Sequence, residues 1–146
     1  MKRFVFTMQG ILNARTAQKE AREQELQSAR IKAQREQARL RELEAQLLAV
    51  LTVMPEQASS GYFLQREKHA SFMRRQIQEQ RVRVSAAETE VRACMARLRE
   101  ADIELKKMEK LHEKEHARWE LEFQRHEQKL NDEIGTSRAF FQMHHN

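Results

Sequence analysis

From Phe63 onward the apolar positions of this chain advance alternately by three and four residues. The series is Phe63, Ala70, Met73, Ile77, Val84, Ala87, Val91, Cys94, Leu98, Ala101, Leu105 and Met108, with Arg66 and Gln80 as its polar members. The residues between are mostly Arg, Glu, Gln and Lys. A repeat of 3.5 residues is the seam of a left-handed coiled coil. A single helix cannot bury its own stripe, so the pattern demands a partner helix.

The first third of the chain supplies one. Leu26, Ala29, Ala33, Glu36, Leu40, Leu43, Leu47, Val50 and Met54 follow the same repeat, and the phase extends back through Arg22, Lys19, Arg15, Leu12, Met8 and Val5. The three basic residues suit a seam poorly, and a shift of one position would offer Ala14, Gln18 and Ala21 instead. Between the two stripes stand Pro55, the only proline, and Ser59-Ser60-Gly61. Proline disfavours helix in the residue before it and removes a backbone donor, so this is the turn. The prediction is helix one over about 4–54, a turn over 55–61, helix two over about 62–134, stopped by Gly135-Thr136-Ser137, and a tail over 135–146 that is frayed or partner-dependent from Arg138 on, with Phe140, Phe141 and Met143.

Folding helix one antiparallel onto helix two requires facing residues whose numbers have a constant sum. Met54–Phe63, Val50–Arg66, Leu47–Ala70, Leu43–Met73, Leu40–Ile77, Glu36–Gln80, Ala33–Val84, Ala29–Ala87 and Leu26–Val91 all sum to 116 or 117. In this register the polar member of one seam, Glu36, meets the polar member of the other, Gln80, and a matched polar layer can fix register at some loss of stability. The expected fold is all-α: a single domain over 1–146 formed by an antiparallel two-helix coiled coil, a helical hairpin whose second helix is the longer. Its seam includes Leu26, Leu40, Leu43, Leu47, Met73, Ile77, Val84, Val91, Leu98 and Leu105. Three glycines and one proline fit long helices and an extended rod.

The same arithmetic leaves helix two without a partner beyond roughly His112, although it still carries Trp119, Leu121, Phe123, Leu130 and Ile134. Apolar residues in a row on a bare face mark an interaction site. The alternative is that this face folds back onto the Phe4–Phe6 patch. Near the turn, Tyr62, Phe63 and Phe72 form a second aromatic group.

Charge and candidate chemistry change this picture little. The balance of 27 basic and 22 acidic residues gives +5, interspersed along the helices as expected for a solvated coiled-coil surface. His112-Glu113-Lys114-Glu115-His116 satisfies the H-E-x-x-H pattern of zinc metalloproteases, but that chemistry needs a third ligand and a dry cleft, and a two-helix rod offers no cleft. Cys94 is alone and lies on the seam, where a small thiol is a good filler. No glycine-rich phosphate loop, helix-turn-helix or aromatic stacking platform is present. The expectation is therefore no catalysis, no cofactor, no metal and no nucleic acid. The opening apolar run, Met1 to Met8, is too short for a signal peptide, and no stretch approaches the ~18 apolar residues of a membrane span.

Two segments resemble a known family. Phe4-x-Phe6-x-Met8-x-x-x-Leu12-x-x-Arg15, followed by a Gln/Glu/Ala-rich helix, is similar to the start of the flagellar export protein FliJ. Lys110-Leu111-His112-Glu113-Lys114 and Glu127-Gln128-Lys129-Leu130-Asn131-Asp132-Glu133-Ile134 resemble its close, with Asn131 departing from the usual pattern. The resemblance covers essentially the whole chain. It implies a non-enzymatic, stalk-like coiled coil of the type III export apparatus of the bacterial flagellum, with a related counterpart in the injectisome. The implied partners are the pore of the hexameric export ATPase, the large cytoplasmic domain of the export gate, and export chaperones. The implied location is the cytoplasm, at the inner membrane only through those partners. By the same analogy the end holding both termini, with Phe4, Met8, Trp119, Phe123, Leu130 and Ile134, would meet the ATPase, and Tyr62, Phe63 and Phe72 at the turn would face the gate. The competing reading is a generic coiled-coil scaffold with no export role.

Overall fold

A computed structural model describes residues 2–145. Two helices account for nearly all of it: α1, Gln9–Thr52, of 44 residues, and α2, Ser60–His145, of 86 residues. They pack against each other antiparallel, and no strand occurs among the described residues. The described residues divide into two compact units, Lys19–Ala101 and a terminal unit formed by residues up to Gln18 with those from Asp102 onward.

In the Lys19–Ala101 unit the seam of α2 follows the heptad. Ala70, Met73, Ile77, Gln80, Val84, Ala87, Cys94 and Ala101 are buried, and Val91 and Leu98 half-buried. The facing residues of α1 are Leu26, Ala33 and Leu43, buried, and Leu40, Leu47 and Glu36, half-buried. The predicted polar layer is made: Gln80 Nε2 donates to the Glu36 carboxylate and, at 2.9 Å, to the Glu36 carbonyl oxygen. One step along, Gln37 Nε2 donates to Glu88 Oε1 at 2.9 Å. Arg22 and Lys19 stay half-buried while Gln18 and Ala21 are exposed, so the seam keeps its phase back to Lys19; at the next step Arg15 and Ala14 are both exposed. The register sets Arg22 opposite Cys94, a small residue that leaves room for a long aliphatic stem. Burial pushes the Cys94 thiol up from its ordinary value, and the neighbouring Glu90 carboxylate pushes the same way, so the seam holds a neutral thiol.

The turn region departs from the expected pairing. α1 ends at Thr52, so Met54 lies outside the helix and is 61% exposed, and Phe63 is 39% exposed; the Met54–Phe63 layer is not a buried one. Ser59 caps α2, its hydroxyl accepting from the Tyr62 amide at 3.2 Å, which satisfies one of the orphan donors of a helix start. Tyr62 Oη in turn donates to the Val53 carbonyl at 3.2 Å and ties the connection shut.

Both outer boundaries need correction. α1 begins at Gln9 and not near Phe4, so the heptad does not extend to Val5. Residues 2–6 are non-helical, and in an extended segment alternate side chains share a face. Phe4 and Phe6 both turn onto His112, Phe4 half-buried and Phe6 buried, while Val5 is 74% exposed. At the other end α2 does not stop at Gly135 but continues through the expected tail to His145. A glycine stop works through a left-handed backbone conformation, and no glycine here adopts positive φ. Thr136 stays helical by donating its hydroxyl to the Asp132 carbonyl at 2.8 Å. A Cβ at Gly135 would meet nothing within 4 Å. Gly135→Ala is thus expected to raise helix content and to stabilise the C-terminal part of α2 by about 0.5–1 kcal/mol. Slower amide hydrogen exchange around residue 135 would show it, and unchanged exchange would count against a continuous helix.

Candidate partner-binding surfaces

The terminal unit carries the candidate surface built from both chain ends. Its base is one face of α2. Leu105 is buried and Met108 half-buried, and the face continues through His112, His116, Trp119 and Phe123. Across its middle lies the extended segment that precedes α1. The Phe4 ring stands edge-on to His112 and His116, with centroids 5.5 and 4.9 Å away, and tilts against Trp119 at 5.9 Å. Phe6 packs on His112 at 4.9 Å. The Trp119 indole N–H donates to the Lys2 carbonyl at 3.2 Å, so the polar edge of the indole is satisfied by the backbone of the same strap.

This arrangement decides between the two readings of the overhang for its first part. The proximal face, His112 to Trp119, is packed by the chain's own N-terminus, with His112 and Trp119 half-buried and His116 still exposed. It also gives the H-E-x-x-H histidines a packing role. Their rings lie nearly parallel, 6.4 Å apart, and form the walls against which Phe4 seats. Among the described residues no three potential ligands come together around them.

Beyond Trp119 the cover ends. Phe123 stacks on Trp119 at 5.3 Å and is half-buried. Leu130, Ile134 and Phe141 are exposed, by 40, 50 and 61%, and with Glu133, Ser137 and Arg138 they line a shallow open groove. Phe141 belongs to the expected frayed or partner-dependent tail and stands instead on the continuing helix. Met8 is exposed at the start of α1.

The second surface lies within the Lys19–Ala101 unit, near the turn. Tyr62 and Phe63 meet edge to face at 5.7 Å, and the Arg66 guanidinium sits over the Phe63 ring at 5.3 Å. Phe72 is half out in solvent. Sequence reasoning missed its aliphatic neighbours: Leu48, Leu51 and Leu64 are exposed, and Leu47, Leu48 and Leu51 line a groove with Ile77 and Arg74. The Leu47-Leu48 doublet was the available signal, since only one of two adjacent leucines can occupy a helical seam.

Fold and surfaces place the chain among the antiparallel two-helix coiled-coil proteins, with no helix long and apolar enough to cross a membrane among the described residues. Within that class the chain belongs to the FliJ family: the sequence model described as flagellar FliJ protein matches residues 4–143. That makes it a component of flagellar export, in a family that is a structural part of the export apparatus. No similar curated protein and no similar solved structure was found.

Proposed function

We propose that this chain is the stalk-like coupling element of the flagellar export apparatus. Its terminal unit engages the pore of the hexameric export ATPase. The turn-proximal surface of the other unit engages the cytoplasmic domain of the export gate and, on occasion, export chaperones. The observation that carries the reading is the apolar face of half-buried Phe123 with exposed Leu130 and Ile134, on a helix that has already outrun both α1 and the N-terminal strap. Exposed apolar residues aligned on one helix face are kept in a soluble helix where something else covers them.

A reconstituted ATPase assay tests this. The wild-type chain is expected to stimulate hydrolysis by the export ATPase. Phe123→Ala with Ile134→Ala is expected to reduce stimulation about tenfold or more, as expected when an interface loses two central apolar anchors. Phe72→Ala is expected to leave it within about twofold. Loss of stimulation by Phe72→Ala with full activity of the Phe123/Ile134 variant would invert the assignment of surfaces.

A further inference from the structure

One groove near the turn has no assigned occupant. Leu48 and Leu51 of α1 stand exposed on one side of it, Leu47 and Ile77 of the seam lie at its base, and Arg74 and Arg81 of α2 line the other side. It is separate from the Phe72 surface. Two residues along a helix is a rotation of ~200°, so Arg74 and Phe72 project to opposite sides of α2.

The net charge of the chain is concentrated around this groove. Residues 30–86, whose two arms face each other in the register of the Glu36–Gln80 layer, hold 11 basic and 6 acidic residues, and the rest of the chain holds 16 of each. The whole surplus of +5 therefore belongs to the stretch that carries the groove. At the groove itself the carboxylates are already engaged. Glu67 accepts from Arg74 Nη1 at 3.1 Å, and Glu44 stands 3.7 Å from Arg81 Nη2. Neither contact uses up its arginine, because a guanidinium has five N–H donors and these two side chains are 49 and 58% exposed. Among the described residues Arg41, one heptad before Leu48 and so on the same side of α1, meets no carboxylate. A second copy of this surface, or a basic partner, would add cations to a surplus of cations.

From the bare leucines and this charge pattern we infer that the groove docks an acidic amphipathic helix of a partner protein. Its apolar side chains enter beside Leu48 and Leu51, and its Asp or Glu residues take the free donors of Arg74 and Arg81. A groove that runs between two packed helices receives a third helix by the same side-chain interdigitation that joins the first two. The regional surplus of positive charge draws such a partner to this part of the hairpin before contact is made. This adds a docking surface to the proposed function and does not depend on what Phe72 or Ile134 meets.

The test uses the full chain and two labelled helical peptides with the same apolar stripe, one bordered by Asp and Glu and the other by Lys and Arg. Peptide anisotropy gives the affinities. The acidic peptide is expected to bind about tenfold or more tighter than the basic one at low salt, as a few exposed ion pairs would give, and the gap should narrow with added salt. Arg74→Glu with Arg81→Glu should turn the preference to the basic peptide. Leu48→Ser should weaken binding of the acidic peptide about fivefold or more, while Phe72→Ala, on the opposite side of α2, should leave it unchanged. Circular dichroism confirms that each variant stays helical. Equal binding of the two peptides, binding of neither, or equal weakening by Leu48→Ser and Phe72→Ala would overturn the inference. So would a doubling of mass that Leu48→Ser abolishes, which would make a second copy the occupant. Binding to vesicles with anionic headgroups, lost on Leu48→Ser and unmatched by the acidic peptide, would overturn it in favour of a lipid surface.

Discussion

Leu43→Asp is expected to lower the thermal midpoint of the protein by about 10–15 °C, the largest stability effect of any single substitution considered. Leu43 is 3% exposed and faces Met73 in the register that the Glu36–Gln80 contact fixes. Removing its packing costs about 3 kcal/mol, and placing a carboxylate in the gap adds to that whether it stays charged or takes up a proton. A loss of about 4 kcal/mol is a large part of the total stability of a domain of this size. A two-helix seam has no third layer to absorb the change. Ala45→Asp, exposed two positions further on, should change stability by no more than about 0.5 kcal/mol. Equal melts for the two variants in calorimetry would show that the seam lies on another face of α1.

The second large effect has the opposite sign. Replacing Glu36 and Gln80 together by leucine is expected to stabilise the hairpin by about 1–3 kcal/mol, because an apolar pair avoids the desolvation that the polar layer suffers. Gln80→Leu alone should destabilise by about 1–2 kcal/mol, since it leaves the half-buried Glu36 carboxylate without the donor it now has. The double-mutant cycle therefore shows strong coupling between the two positions. What the double variant loses is specificity: an unbroken apolar seam pairs as readily with another copy as with itself. Higher-order species of the Glu36→Leu/Gln80→Leu variant in sedimentation would report that loss. Additive single effects with a strictly monomeric double variant would remove the layer's role in register.

The seam was legible because it is redundant. Each heptad from Leu26 to Leu47 and from Ala70 to Leu105 repeats the same information, and the one polar residue on each side coincides only in the antiparallel register. The N-terminal strap was not legible for the opposite reason. Phe4-Val5-Phe6 is three residues long, and its alternation is too short to compete with a heptad extrapolated from α1; only tertiary contact with His112, His116 and Trp119 shows which period applies. Those histidines could be read from sequence as ligands or as a charged face, but not as the walls of an aromatic seat, because their partner lies more than a hundred residues away. The end of α2 was misplaced because glycine carries a conformational option and not an instruction. Without positive φ at Gly135 the helix simply continues, and with it the apolar face gains Phe141. The apolar residues from Trp119 to Ile134 were legible, but not that the strap packs on Trp119 or that the helix carries on to Phe141.

Site-directed photo-crosslinking distinguishes which surface meets which partner. A photoreactive residue is placed at Ile134 or, separately, at Phe72, and the chain is irradiated in the presence of the export ATPase and the cytoplasmic domain of the gate. ATPase adducts are expected from position 134 and gate adducts from position 72. ATPase adducts from position 72 with none from position 134 would contradict that assignment.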